Sequence, residues 1–127
     1  MARREIVRVV NAPKHGDNPI PICTKIGNLI LPSVISGRDP NGEQLDDPER
    51  QIAQAFINMK NIIEAAGGRT ENIGKITIFL SDIKYRALVN KEWEKMFPDE
   101  QDRPSRHVVD MPLRGKTVIQ LDVIAVI

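Results

Sequence analysis

Hydrophobic and polar residues alternate along some stretches of the chain and recur at helical spacing along others, and the switches between the two periods divide it into strands and helices. Residues 5–10 read as a first strand. Residues 22–26 and 29–33 read as a hairpin closed at Gly27-Asn28, where a positive φ costs little. Gly37-Arg38-Asp39-Pro40-Asn41-Gly42 is turn chemistry throughout and predicts an exposed loop. Asp47-Pro48 then supplies an N-cap and a proline for the first helical turn. Ile52, Ala55, Phe56, Met59, Ile62, Ile63 and Ala66 follow at helical spacing, up to a stop at Gly67. Residues 73–80 form the next predicted strand, and Ser81 or Asp82 can cap a second helix with Tyr85, Leu88, Val89, Trp93 and Met96 or Phe97 as its apolar stripe. Pro98 ends that helix. Strands over 105–111 and 117–127 complete the order β-β-β-α-β-α-β-β.

Hairpins and two helical crossovers imply a single α+β domain over 1–127, with a mixed sheet of about six strands and both helices on one face. The last strand shows both faces of that sheet. Ile119, Leu121, Val123, Ala125 and Ile127 are wholly apolar and should meet the helices. Val118, Gln120, Asp122, Ile124 and Val126 are too apolar for a plain solvated face, yet carry an amide and a carboxylate. Asp122 is therefore expected to be buried among apolar neighbours, and such a carboxylate needs a partner, a wet cavity or a subunit boundary. A second copy of the chain is the cheapest cover for this face.

Composition narrows the function classes. With 18 Lys plus Arg against 17 Asp plus Glu the net charge is +1, so nothing marks a general nucleic-acid or anionic-membrane surface. No apolar run approaches the roughly 20 residues of a membrane helix, and Met-Ala-Arg-Arg-Glu does not open a secretory leader. A cytoplasmic home is expected. The single cysteine, Cys23, allows neither an internal disulfide nor a cysteine-based zinc cage, and the two histidines have no metal-ligand spacing, so no transition-metal site is expected.

An ordered set of segments carries a family likeness. Asn61-Ile62-Ile63-Glu64-Ala65-Ala66-Gly67-Gly68, Lys75-Ile76-Thr77-Ile78-Phe79-Leu80-Ser81-Asp82, Val89-Asn90-Lys91-Glu92-Trp93 and Arg103-Pro104-Ser105-Arg106-His107-Val108-Val109 stand in this order, with Asn11-Ala12-Pro13 and Gly27-Asn28-Leu29-Ile30 ahead of them. The chain thereby resembles the RidA/YjgF reactive-intermediate deaminase superfamily over essentially its whole length. The resemblance implies a chorismate-mutase-like fold, a homotrimer with pockets between subunits, and hydrolysis of reactive enamine or imine acids to keto acids and ammonia without metal or organic cofactor.

The same resemblance assigns roles. Arg106 matches the family's carboxylate-binding arginine, whose guanidinium can hold a carboxylate through two parallel hydrogen bonds in a geometry lysine cannot copy. Asp122 stands where the family's last strand carries a glutamate that orients the attacking water. Asn90 matches a position near the pocket. Ser33 aligns with the serine of a Ser-Gly-Gln segment, although Val34 and Ile35 follow it here. Two further positions depart from the family: Pro19-Ile20 replaces a glycine-proline-tyrosine pattern, and Val108 replaces a cysteine two residues beyond the arginine. Ile20 and Val108 make the expected pocket more apolar, which favours a substrate larger than aminoacrylate, such as an aminomuconate-type ring-cleavage product. From the residues alone, Arg106 could instead serve as a charge partner of Asp110 or Asp122. His107 is expected to point away from Arg106, Cys23 to be a buried inert thiol, Trp93 and Tyr85 to be packing residues, Arg38 to be solvated and His15 to be a loop residue able to close over a ligand. Two other functions stay open: a non-catalytic trimer that binds a small carboxylate and regulates a partner, and an endoribonuclease or translation inhibitor. Near-neutral charge and few aromatics make nucleic acid an unlikely partner.

Overall fold

A computed structural model of the protein describes residues 3–127; Met1 and Ala2, part of the start read above as carrying no leader, lie outside that range. The chain runs β1 (Glu5–Val7), β2 (Cys23–Ile26), β3 (Leu29–Pro32), β4 (Ile35–Ser36), α1 (Pro48–Ala65), β5 (Ile73–Leu80), α2 (Arg86–Met96), β6 (Ser105–Asp110) and β7 (Ile119–Val126). The strands form one mixed sheet in the order β1-β2-β3-β7-β5-β6, with β4 also pairing with β7. Only β5 and β6 run parallel, because the α2 crossover joins them. No helix among the described residues is long and apolar enough to cross a membrane.

The seventh strand has a local cause. Pro32 has no N–H to donate, and β3 stops there; the next N–H, that of Ser33, turns back to the Ile22 carbonyl at 2.9 Å. The chain then resumes as β4, setting Ile35 opposite Leu121 and Ser36 opposite Gln120. The first strand is shorter than its sequence suggests and ends at Val7. The β2–β3 hairpin closes as expected, with Gly27 at φ +57° in a two-residue turn. Asp47 accepts from the Glu49 N–H at 3.2 Å to cap α1, and Gly67 at φ +90° ends it.

Ile52, Phe56, Met59, Ile62 and Ile63 of α1 pack on the sheet face formed by Ile76, Ile78 and Leu80 of β5 and Ile119, Leu121, Val123 and Ala125 of β7. Val89 and Trp93 bring α2 onto the same core. The opposite sheet face has no helix over it. Asp122 lies there and is exposed, which corrects the expectation that a single chain buries it: the alternation of β7 turns Asp122, Ile124 and Val126 away from both helices. Ile6, Leu29, Ile124 and Val126 are exposed large apolar side chains of this open face. Ile127 is also exposed, although the alternation placed it with the core residues.

Two buried amides on α1 tie irregular segments to this frame. Gln51 donates to the Leu45 and Lys116 carbonyls at 2.9 and 3.0 Å and accepts from the Val118 N–H at 2.6 Å. Asn58 donates to the Ser36 and Arg38 carbonyls at 2.9 and 2.8 Å and accepts from Gln54 at 2.9 Å. Gly37 lies so close to α1 that a Cβ there would overlap the Gln51 carbonyl and side chain. Replacing Gln51 by leucine keeps the volume but strands a buried N–H and two carbonyls. Gln51→Leu should lower unfolding free energy by about 3 kcal/mol, read by urea denaturation, since each stranded buried group costs roughly 1–3 kcal/mol. An unchanged midpoint would show that water reaches those groups.

Candidate functional site

Arg106 occupies the second position of β6, at the edge of the sheet, where it pairs with Ile76. Directly paired residues share a face, so Arg106 points toward the helix layer. Its guanidinium meets one stripe of α2. An Nη donates to the Asn90 Oδ1 at 2.8 Å, and the guanidinium carbon lies 5.0 Å from the centre of the Trp93 ring. Trp93 is in turn fixed by Phe97, edge to face at 5.0 Å. Arg86, one turn before Asn90, adds a second positive charge. Partial burial, and after it Arg86, lowers the pKa of the Arg106 guanidinium below its ordinary value, yet a guanidinium is so strong a base that the group stays charged at neutral pH. Among the described residues no carboxylate forms an ion pair with it, so neither Asp110 nor Asp122 is its partner.

Val108, two residues on, shares the face of Arg106 and packs on the core, so Arg106, Asn90 and Val108 come together as the sequence suggested. Asp122 does not join them. It pairs with Thr77, which pairs on its other side with His107, and this row faces away from the helices. Within one chain, then, the arginine and the acid occupy opposite faces of the sheet. His107 points away from Arg106 as expected. Ile20 lies elsewhere, in the loop leading into β2, and Ser33 lies beside that loop, between β3 and β4. The Ser33 hydroxyl donates to the Pro21 carbonyl at 2.8 Å, and Ile20 is 48% exposed.

A cleft of about 530 Å³ opens elsewhere, where the loop after β1, the turn after β4 and the segment before β7 meet. Lys14, His15, Arg38, Arg114, Thr117 and Gln120 are among its lining residues. Gln120, rather than Asp122, is thus the polar side chain that β7 contributes to a cleft. The sequence pattern placed both on one face of β7, but nothing local to the strand told which of the two a cleft would reach.

The chain belongs to the family described as Endoribonuclease L-PSP, whose model matches residues 21–127. This is the YjgF/RidA/Rid family. A RutC family protein of Aquifex aeolicus is 29% identical, over 94% of this chain and 99% of its own. The 2-iminobutanoate/2-iminopropanoate deaminase of Escherichia coli is 35% identical over 80% of this chain and 81% of its own. Among solved structures, the YjgF gene product of Escherichia coli superposes with a TM-score of 0.86 at 31% identity, covering 96% of this chain and 98% of that one. Escherichia coli TdcF with bound serine gives 0.87 at 26% identity over 97% and 98% of the two chains. The mixed sheet with two helices is therefore the family fold, and named deaminases stand among the relatives.

Cys23 is not part of either region. It is fully buried in β2, and desolvation raises its thiol pKa, with a backbone hydrogen bond opposing in part. The thiolate is the reactive form, so native protein at pH 8 should react with a disulfide reagent far more slowly than urea-unfolded protein. Equal rates in the two states would show that the strand opens readily.

Proposed function

We propose that this protein hydrolyses reactive imine or enamine acids to keto acids and ammonia, with Arg106 holding the substrate carboxylate. The observation that carries this reading is a part-buried guanidinium, braced by Asn90 and Trp93, that has no carboxylate partner of its own among the described residues. Names given to relatives, 2-iminobutanoate/2-iminopropanoate deaminase among them, support the same chemistry.

The reaction asks little of the protein beyond placement. Water adds to the imine carbon, a proton reaches the nitrogen, and the carbinolamine collapses to a carbonyl with loss of ammonia; an enamine is first protonated on carbon. A carboxylate gripped at Arg106 fixes the neighbouring imine carbon, and a polar group must then orient the water. Asp122 serves that purpose in this reading. Since Asp122 lies on the opposite face of its own sheet, it reaches the substrate only from another copy of the chain. The exposed apolar residues of the open face support such an assembly, a homotrimer with ligand pockets between subunits. Val108 beside Arg106 makes the site more apolar than a cysteine would, and this reading extends to a substrate larger than aminoacrylate, of the aminomuconate type.

The separation of Arg106 from Asp122 also favours a second reading, a carboxylate-binding trimer without turnover, and the same experiment divides the two. Freshly generated 2-iminobutanoate and an aminomuconate should release ammonia faster with protein than in buffer. Arg106→Ala should reduce kcat/KM by about 100-fold or more and Arg106→Lys by a smaller factor, as expected when a bidentate charge-assisted contact is lost. Saturable binding of 2-oxobutanoate with no acceleration on either substrate would establish the non-catalytic reading instead. Light scattering that gives the mass of a stable monomer would remove the inter-subunit role of Asp122.

A further inference from the structure

Arg106 is not the only cation beside α2. Arg86, the first residue of that helix, stands one turn before Asn90, so about 6 Å of helix separates the residue that braces Arg106 from a second guanidinium. The two arginines are close enough to feel each other's charge, since Arg86 follows burial as a cause of the lowered Arg106 pKa. Like charges held near one another cost free energy until an anion stands between them.

The described residues supply no such anion. Asp82, four residues before Arg86, is the acid that helical spacing would pair with it. Its carboxylate is taken up instead by Lys84, accepting from the Lys84 N–H at 2.9 Å and lying 4.0 Å from the Lys84 ammonium. Asn90, one turn after Arg86, is neutral. Asp110 shares the Arg106 face of β6 by alternation, yet it forms an ion pair with neither arginine. Arg86 is exposed and makes no hydrogen bond or ion pair among the described residues. Arg106 commits one Nη to Asn90 and makes no other hydrogen bond among them. Val108, next along that face of β6, adds an apolar surface beside the two charges.

The geometry points to Arg86 as the residue that sets the substrate class: it holds the second carboxylate of a dicarboxylic imine or enamine acid whose first carboxylate is held by Arg106. This assignment rests on the deaminase reading for the role of Arg106 and adds to it a preference for two negative charges. A monocarboxylate at Arg106 leaves Arg86 without a partner. A dicarboxylate satisfies both guanidiniums through charge-assisted hydrogen bonds and removes their mutual repulsion, while its carbon chain lies against Val108.

The test compares 2-oxobutanoate with 2-oxoglutarate, the hydrolysis products of a monocarboxylic and a dicarboxylic imine. Binding to the full chain is followed by calorimetry and by the fluorescence of Trp93, the only tryptophan and a neighbour of Arg106. 2-Oxoglutarate should bind at least about tenfold tighter, and added salt should shrink the difference. Arg86→Gln, at an exposed position without hydrogen bonds, should lower the ratio of the two affinities about tenfold, and Arg86→Lys should keep part of it. Lys60→Gln removes the same charge from an exposed position on α1 and should leave the ratio as it is. Three results overturn the assignment: no preference for 2-oxoglutarate, a preference that survives in Arg86→Gln, or an equal fall in Arg86→Gln and Lys60→Gln. Ammonia release from 2-iminobutanoate in any of these cases leaves the deaminase reading standing. A preference that depends on Arg86, without ammonia release from 2-iminobutanoate or 2-iminoglutarate, keeps Arg86 as the second carboxylate contact and removes the deaminase reading.

Discussion

The antiparallel register of β5 against β7 is the constraint on which the rest of this protein depends. It places Ile76, Ile78 and Leu80 beside Val123, Leu121 and Ile119 as one apolar surface, and both helices are held by that surface. A slip of one residue would exchange this face for Thr77, Phe79, Asp122 and Gln120 and leave α1 with nothing to pack on. The register also carries over to the edge strand. Once Ile76 faces the core, its parallel neighbour Arg106 must point at α2, and Thr77 takes His107 and Asp122 with it to the other side.

This coupling explains what could be read in the sequence. The α1 cap at Asp47, its stop at Gly67 and the Gly27 hairpin each rest on residues within a few positions of one another, so local chemistry was enough to find them. The opposite facing of Arg106 and His107 followed from alternation within one strand. Whether Arg106 and Asp122 share a face depends on the parity of two registers across three strands, and no short stretch of sequence encodes that. The seventh strand was missed for a similar reason, because Ile35-Ser36 is too short to show a period and exists only through its pairing with β7.

Two kinds of positive charge are visible in the site chemistry. Arg106 is partly desolvated and held by an amide and an aromatic ring, a setting that suits a planar anion at close quarters. The His15 cleft gathers exposed cations on loops, where the field is screened by salt. The sequence marked His15 as a loop residue able to close over a ligand, and the folded chain places it in the lining of the cleft.

Gln51 and Asn58 satisfy every polar atom they bury with partners from their own chain. The turn that carries Arg38 and the segment leading into Gln120 are therefore fastened as soon as α1 docks, before any second copy arrives. The walls of the cleft therefore need no second copy of the chain to complete their hydrogen bonds.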